Sequence, residues 1–340
     1  MKYQYAVYGM ELSLFTRKLE AAMIFYNAPF VRKPKTQDNR KEIEYRSGTH
    51  QVPILHTPEN WMIGDTTPLL MMLDNRYPAR AMFPKGPLGI LVHVVEEFLD
   101  EWVARVMVHY RWHYEESSQF AAERITRASM PNADEATIAE ALKNAPIADW
   151  GKRACRATGT ASAQQQHAAE AEYKRILDSI DQQLQHTPYL LGMRPCAVDT
   201  IVLGGLRAHT YMDPDPKKTV SKYPRIVKWC EQGADQWNRN GDNTGELTSF
   251  PESTPFAQMI LSEIPTTYKP YILANAHAQA NGDKAFVVTT YEEEVSYLSR
   301  PYPELSRQMI INRIANQINA EERQAVQEWL ATVGLAECFQ

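Results

Sequence analysis

Apolar and polar positions follow two different periods along this chain, and the change of period marks its first boundary. Tyr3 to Tyr8 is rich in aromatic and β-branched residues and stops at Gly9, which predicts a strand. From Leu14 the apolar positions recur every three to four residues, as Leu14/Phe15, Leu19, Ala22/Met23 and Tyr26. That spacing is one buried face of a helix, with Ser13 placed as its N-cap. Pro29 to Lys33 predicts a second, weaker strand, and a polar stretch from Gln37 to Gly48 follows. Val52 to Leu55 and Trp61 to Ile63 then flank a turn-rich segment and predict a hairpin. Asp65 or Thr66 opens a second amphipathic helix to about Tyr77. Pro68 lies in its first turn, where a missing N–H costs nothing.

Residues 78–87 (PARAMFPKGP) read as a linker. Beyond them the period is helical. One long helix is expected from Leu88 to about Glu116, its apolar side carrying Leu91, Val94/Val95, Phe98, Trp102, Val106 and Tyr110. A polar, alanine-rich stretch separates it from a helix over about 164–186, and two more helices are expected near 198–209 and 225–237. From about Phe250 the chain is punctuated by Pro251, Pro255 and Pro265. It then offers a hairpin around 286–298 and two final helices ending near Leu335.

Composition narrows the function. In 340 residues, 44% hydrophobic and 23% charged is ordinary for a globular chain, which excludes a disordered, fibrous or membrane-bundle protein. The net charge of −5 comes without any basic block, so a nucleic-acid partner is disfavoured. Cys155, Cys196, Cys230 and Cys338 form no CxxC pair, which argues against a zinc finger or a disulfide scaffold and for a reducing cytoplasm. No signal-peptide core follows Met1, and no apolar run reaches membrane-spanning length, so no membrane partner is expected.

Four stretches, in this order, resemble the glutathione transferase superfamily. They are Tyr8 to Lys18 (YGMELSLFTRK), with a serine at the helix start and a basic pair one turn on; Gln51 to Leu55 (QVPIL), similar to the segment holding the family's cis-proline; Ile63-Gly64-Asp65-Thr66; and Pro188 to Asp199. The resemblance implies an α/β thioredoxin-like amino-terminal domain (1–80) followed by an all-α helical second-substrate domain (88–250). A mainly helical C-terminal extension (251–340) would pack on the helical domain. It further implies a cytoplasmic homodimer that uses glutathione as co-substrate, acts on a small electrophile and needs no metal. A non-catalytic binding member of the same fold, and a glutathione-dependent lyase, dehalogenase or isomerase, are the alternatives.

The chemistry turns on ionising a thiol. A free thiol has a pKa near 8.5, so little thiolate exists at neutral pH without help. A hydroxyl at a helix N-terminus supplies that help by donating to sulfur where the helix dipole favours negative charge. Ser13 holds this position; as a residue it is equally a plain N-cap, and the resemblance makes it the thiolate partner, with Tyr8 as the alternative. No cysteine precedes Cys155, which excludes branches that exchange disulfides through a first-domain cysteine. By the same resemblance Gln51, Val52 and Pro53 present backbone to the peptide-like ligand. Asp65 and Thr66, otherwise only a helix cap, receive its γ-glutamyl end. Met10, Leu12, Tyr110, Arg111 and Trp112 are the candidates for the second-substrate pocket. His109 and His113, spaced i and i+4, share a helix face that could bind a metal, but the sequence names no further ligands, and a partly buried polar and aromatic cluster is the expected reading. Cys196 stands where the family usually has Ser or Thr, and Cys338, close to the end, is expected to be exposed.

Overall fold

A computed structural model describes residues 4–144, 147–238 and 245–340. The amino-terminal part is a βαβ unit followed by an antiparallel hairpin and a helix: β1 (Tyr5–Gly9), α1 (Leu14–Phe25), β2 (Phe30–Pro34), α2 (Arg40–Ser47), β3 (Ile54–His56), β4 (Met62–Ile63) and α3 (Thr66–Arg76). The sheet order is β2-β1-β3-β4. β1 is parallel to β2, β3 is antiparallel to β1, and β4 is antiparallel to β3. This is the thioredoxin-like arrangement. Leu19, Ala22 and Met23 of α1, Ile54 and Leu55 of β3, and Leu70 and Leu73 of α3 are fully buried, so the predicted apolar face of α1 is the core face. α2 falls within the stretch left without an element in the sequence. It buries only Ile43, so it has no apolar period to read.

A helical series follows. α4 (Pro87–Glu97), a π-helical turn over Phe98–Val103 and α5 (Ala104–His113) replace the single helix expected over 88–116. The run ends at Tyr114, whose backbone is extended, and α6 (Glu115–Ser129) begins beyond it. The wider π turn carries one extra residue per turn and rotates the helix face. Phe98, Leu99, Trp102 and Val103 are buried there together with Asp100 and Glu101. α7 (Glu135–Asn144) and α8 (Ile147–Ala157) complete the region that reads as merely polar and alanine-rich. Ser117, Ser118, Ala121, Ala122 and Ile138 are its buried positions in α6 and α7, small residues that leave a weak hydrophobic pattern. Next come α9 (Ala163–His186), α10 (Ala197–Gly205) with a π turn over Leu206–Thr210, α11 (Pro214–Val220) and α12 (Pro224–Gln232).

The proline-punctuated segment carries two further helices, α13 (Pro255–Glu263) and α14 (Tyr268–Asn281), where only loops and a hairpin were expected before residue 300. The first starts where its sequence permits: Thr254 caps α13, and Pro255 takes the first turn. The hairpin β5 (Ala285–Thr290) and β6 (Glu293–Leu298) follows, then α15 (Pro301–Asn316) and α16 (Ala320–Thr332). Among the described residues no helix is long and apolar enough to cross a membrane.

By contacts the chain forms two compact units: residues 1–82, 110–153 and 200–243, and residues 83–109, 154–199 and 244–340. In the second, α13 packs on α9, and α15 and α16 pack on α4. Its core is aromatic, with Tyr271 meeting Trp102, Tyr268, Phe286 and Tyr297 at ring separations of 5.1–5.8 Å. Cys338 is 1% exposed, which corrects the expectation of an exposed thiol. The terminal turn folds inward, and Arg307 donates to the Cys338 carbonyl. Cys196 is likewise buried. The Asp199 carboxylate caps its segment, accepting from the N–H groups of Leu190 (2.8 Å) and Cys196 (2.9 Å).

Candidate functional site

Sheet polarity decides which residues can meet. β1 runs toward Gly9, and its antiparallel register pairs Tyr8 with Ile54, so the start of β3 lies beside the end of β1. β4 reverses again, with Ile63 opposite Leu55, and ends at the same edge. The loop after β1, the segment before β3 and the loop after β4 therefore share one edge of the sheet. α1 and α3 both begin there. Neither has an acidic residue in its first turn, so their unpaired N–H groups give that edge positive character.

Ser13 caps α1. Its Oγ accepts the Thr16 N–H at 3.2 Å, and its own N–H donates to the Met10 carbonyl at 3.1 Å. A hydroxyl has one proton and two lone pairs. The cap uses a lone pair, and among the described residues the Ser13 proton is donated to none. Gly9 makes this turn possible: a Cβ there would lie 2.4 Å from Thr16 Oγ1. Tyr8 lies one residue before Gly9, with the Lys33 ammonium 5.6 Å from its ring centre.

The Val52–Pro53 bond is cis. Among the described residues neither the N–H nor the C=O of Val52 pairs within the chain, while the Gln51 N–H donates to Thr49 Oγ1 at 3.1 Å. Asp65 precedes α3 at φ 66°, left-handed backbone that costs a non-glycine residue about 1–2 kcal/mol. Its side chain does not cap the helix. Thr66 and Thr67 are buried behind it. Lys18, fully buried on α1, donates to Thr67 Oγ1 at 2.9 Å and ties the two helix starts together. Lys18 is not among the candidates that the sequence offers. Its only sequence signal is membership of the basic pair after Ser13.

The pocket candidates part company. Met10 is half-buried beside the Ser13 turn. Leu12 is buried, and its carbonyl accepts Arg111 Nη1 at 2.6 Å. Arg111 also forks onto Asp213, with Nε to Oδ2 at 2.9 Å and Nη2 to Oδ1 at 3.0 Å, and donates to the Ala208 carbonyl at 2.6 Å. Burial pushes the Asp213 carboxyl up to about 6, against the pull of Arg111, so the pair stays ionised at neutral pH. With its donors so committed, Arg111 fixes the loop before Ser13. Tyr110 is mostly buried and stacks on Tyr114, with centroids 5.8 Å apart. Trp112 packs edge-on to Trp150 at 6.0 Å, and Gly151 lies so close that a Cβ would strike the indole. His109 is buried and bonded to Glu170 at 2.7 Å, and His113 meets the Tyr114 ring edge-on. Among the described residues no group of three or more His, Cys, Asp or Glu is placed to hold a metal ion.

Residues 7–81 match the family model for the glutathione S-transferase N-terminal domain. No curated protein sequence matches the chain. Similar solved structures include a β-etherase from Sphingobium sp. strain SYK-6, at 15% identity and TM-score 0.46 over 69% of this chain and 98% of that one. A glutathione S-transferase from Methylobacterium radiotolerans, in complex with glutathione sulfonate, is 16% identical with TM-score 0.42 over 67% and 89%. Another, from Methylobacillus flagellatus with glutathione bound, is 12% identical with TM-score 0.42 over 67% and 94%.

Proposed function

We propose that this chain, which belongs to the glutathione S-transferase superfamily through its amino-terminal domain, binds glutathione at the sheet edge and activates its thiol for attack on a small electrophile. The observation that carries the reading is the Ser13 cap, whose oxygen is engaged by Thr16 while its proton stays unclaimed. The Ser13 O–H donates to the thiolate sulfur, the thiol proton leaves to water, and the first-turn N–H groups of α1 favour the anion. The sulfur then bonds to the electrophilic carbon, and the leaving group departs with its electron pair. Val52 pairs with the ligand backbone as a strand edge would, and the Asp65–Thr66 corner receives the α-amino and α-carboxylate groups. Met10 and Tyr110 are the electrophile contacts of this reading. Its cytoplasmic homodimer is tested by sedimentation and fractionation.

The test is turnover of a panel of electrophiles by Ser13→Ala and Tyr8→Phe. Ser13→Ala is expected to lower kcat/KM about 10²–10³-fold, the usual cost of removing one donor to a developing anion. Wild-type rates in both variants would falsify the mechanism. Glutathione binding by calorimetry without turnover on any electrophile would instead favour a non-catalytic glutathione-binding protein.

A further inference from the structure

Away from the sheet edge, the same compact unit gathers three arginines around one small cleft. A small cleft is lined by Arg17, Glu20, Arg32, Gly204 and Arg207, together with apolar residues of α1 and α10. Glu20 is the one carboxylate in this lining, and both its oxygens are taken: Oε2 by Arg17 at 3.2 Å and Oε1 by Arg32 at 2.8 Å. From outside the lining Glu11 also holds Arg17, with Oε2 3.8 Å from Nη2 and its carbonyl accepting from Nε at 3.2 Å. Arg207 is half-buried, and among the described residues it donates no hydrogen bond and joins no ion pair. Burial, and repulsion from Arg17, hold its pKa below the usual guanidinium value, against the pull of Asp235 and Glu20. The position is nonetheless built for it. Gly233 turns at φ 56°, and a Cβ there would lie 2.7 Å from Arg207 Nη1. Gly204 brings α10 against α1, where a Cβ would meet the Leu14 carbonyl at 2.7 Å.

A half-buried guanidinium whose donors meet no acceptor among the described residues is unfavourable, and an anion in the cleft would supply one. We infer that this cleft binds a small oxyanion, phosphate or sulfate, free or carried on a larger ligand, held by Arg207 and Arg17 with Arg32 at the mouth. The enclosed space, about 10 Å³, admits one water-sized group, which fits one oxygen of such an ion with the remainder outside. Guanidinium forks are the geometry that recognises oxyanions. The inference does not depend on glutathione chemistry.

The experiment is calorimetric titration of the whole chain with inorganic phosphate, and separately with phenyl phosphate, against chloride at matched ionic strength. Saturable phosphate binding is expected that persists with glutathione present and weakens about ten- to hundredfold in Arg207→Gln, the loss of a charge-assisted bond. Tighter binding of phenyl phosphate assigns the ion to a larger ligand; equal or weaker binding assigns free phosphate. The inference is overturned if phosphate does no better than chloride, if Arg207→Gln binds it unchanged, or if glutathione displaces it. Should Arg207→Gln fail to fold, Arg32→Gln decides at an exposed position: unchanged phosphate affinity there overturns the site. Glutathione affinity unaltered in both variants separates this result from the fate of the Ser13 mechanism.

Discussion

Each compact unit buries an arginine–carboxylate pair, and the two pairs are used differently. In the first, Arg111 and Asp213, 5% and 0% exposed, spend their remaining bonds on backbone, clamping the Leu12 carbonyl one residue before Ser13. In the second, Arg105 and Glu172, equally buried, spend theirs on side chains. Glu172 accepts from Trp102 Nε1 at 2.8 Å and from the Tyr291 hydroxyl at 2.7 Å, and the Arg105 guanidinium lies 4.0 Å above the Trp102 ring. Desolvation alone makes such pairs poor sources of stability. Their value lies in what the remaining donors and acceptors fix: a loop at the candidate site in one case, the β5–β6 hairpin in the other.

Truncation gives the largest expected effect and does not distinguish the pairs. Arg111→Ala and Arg105→Ala should each cost about 3–5 kcal/mol in denaturant unfolding, because each strands a buried carboxylate. Lysine replacements separate them, since lysine keeps the charge and loses the fork. Arg111→Lys should weaken thiol activation, and Arg105→Lys should leave glutathione binding and turnover at wild-type levels. Equal kinetic damage from both would break the comparison.

A second measurement asks what a buried carboxylate does when no arginine faces it. Burial pushes Asp199 up to about 6, against the two backbone N–H groups that favour its charge. Its folded pKa is thus above the unfolded value near 3.9. The folded state holds the proton more tightly between pH 4 and 6, so this group's contribution to stability falls as pH rises through that window. The expected loss is about 3 kcal/mol. Asp199→Asn should remove that slope from the pH profile of unfolding while lowering stability overall. An unchanged slope would assign it elsewhere.

Close backbone approach gives smaller effects. A Cβ at Gly204 would meet the backbone of Leu14 and Lys18, and one at Gly159 would meet the Tyr297 ring. Overpacking of this kind costs about 1–3 kcal/mol. Gly204→Ala should also weaken glutathione binding, because α1 carries Ser13 and Lys18. Gly159→Ala should lower the melting temperature without touching the ligand. The smallest expected loss is the Asn319→Ala cap of α16, about 1 kcal/mol by thermal unfolding, with glutathione binding unchanged.

Legibility followed the length scale of the interaction. β1, α1, the β3–β4 hairpin, α3, α9 and the β5–β6 hairpin announce themselves through apolar period and turn residues within a dozen positions. Ser13 as a cap is legible for the same reason, since its acceptor bond spans three residues. α6, α7 and α8 are not, because they bury few and small side chains. Nor is the π turn, which buries Asp100 and Glu101, charged residues that a sequence pattern places outside.

At the site, the sequence by itself determined the local chemistry: a capping hydroxyl, a Val-Pro pair, an Asp-Thr corner, and no cysteine nearby. Strand polarity gathered these at one edge, and polarity belongs to the sheet and not to any one segment. Arg111 shows the limit most clearly. As a residue it is a cation on a helix, open to an anion. Asp213, 102 positions away, and the Leu12 carbonyl, 99 away, fill its fork and make it the clamp of the Ser13 loop. A charge is written in the chain, but its partner, and therefore its function, is decided only when folding removes it from water.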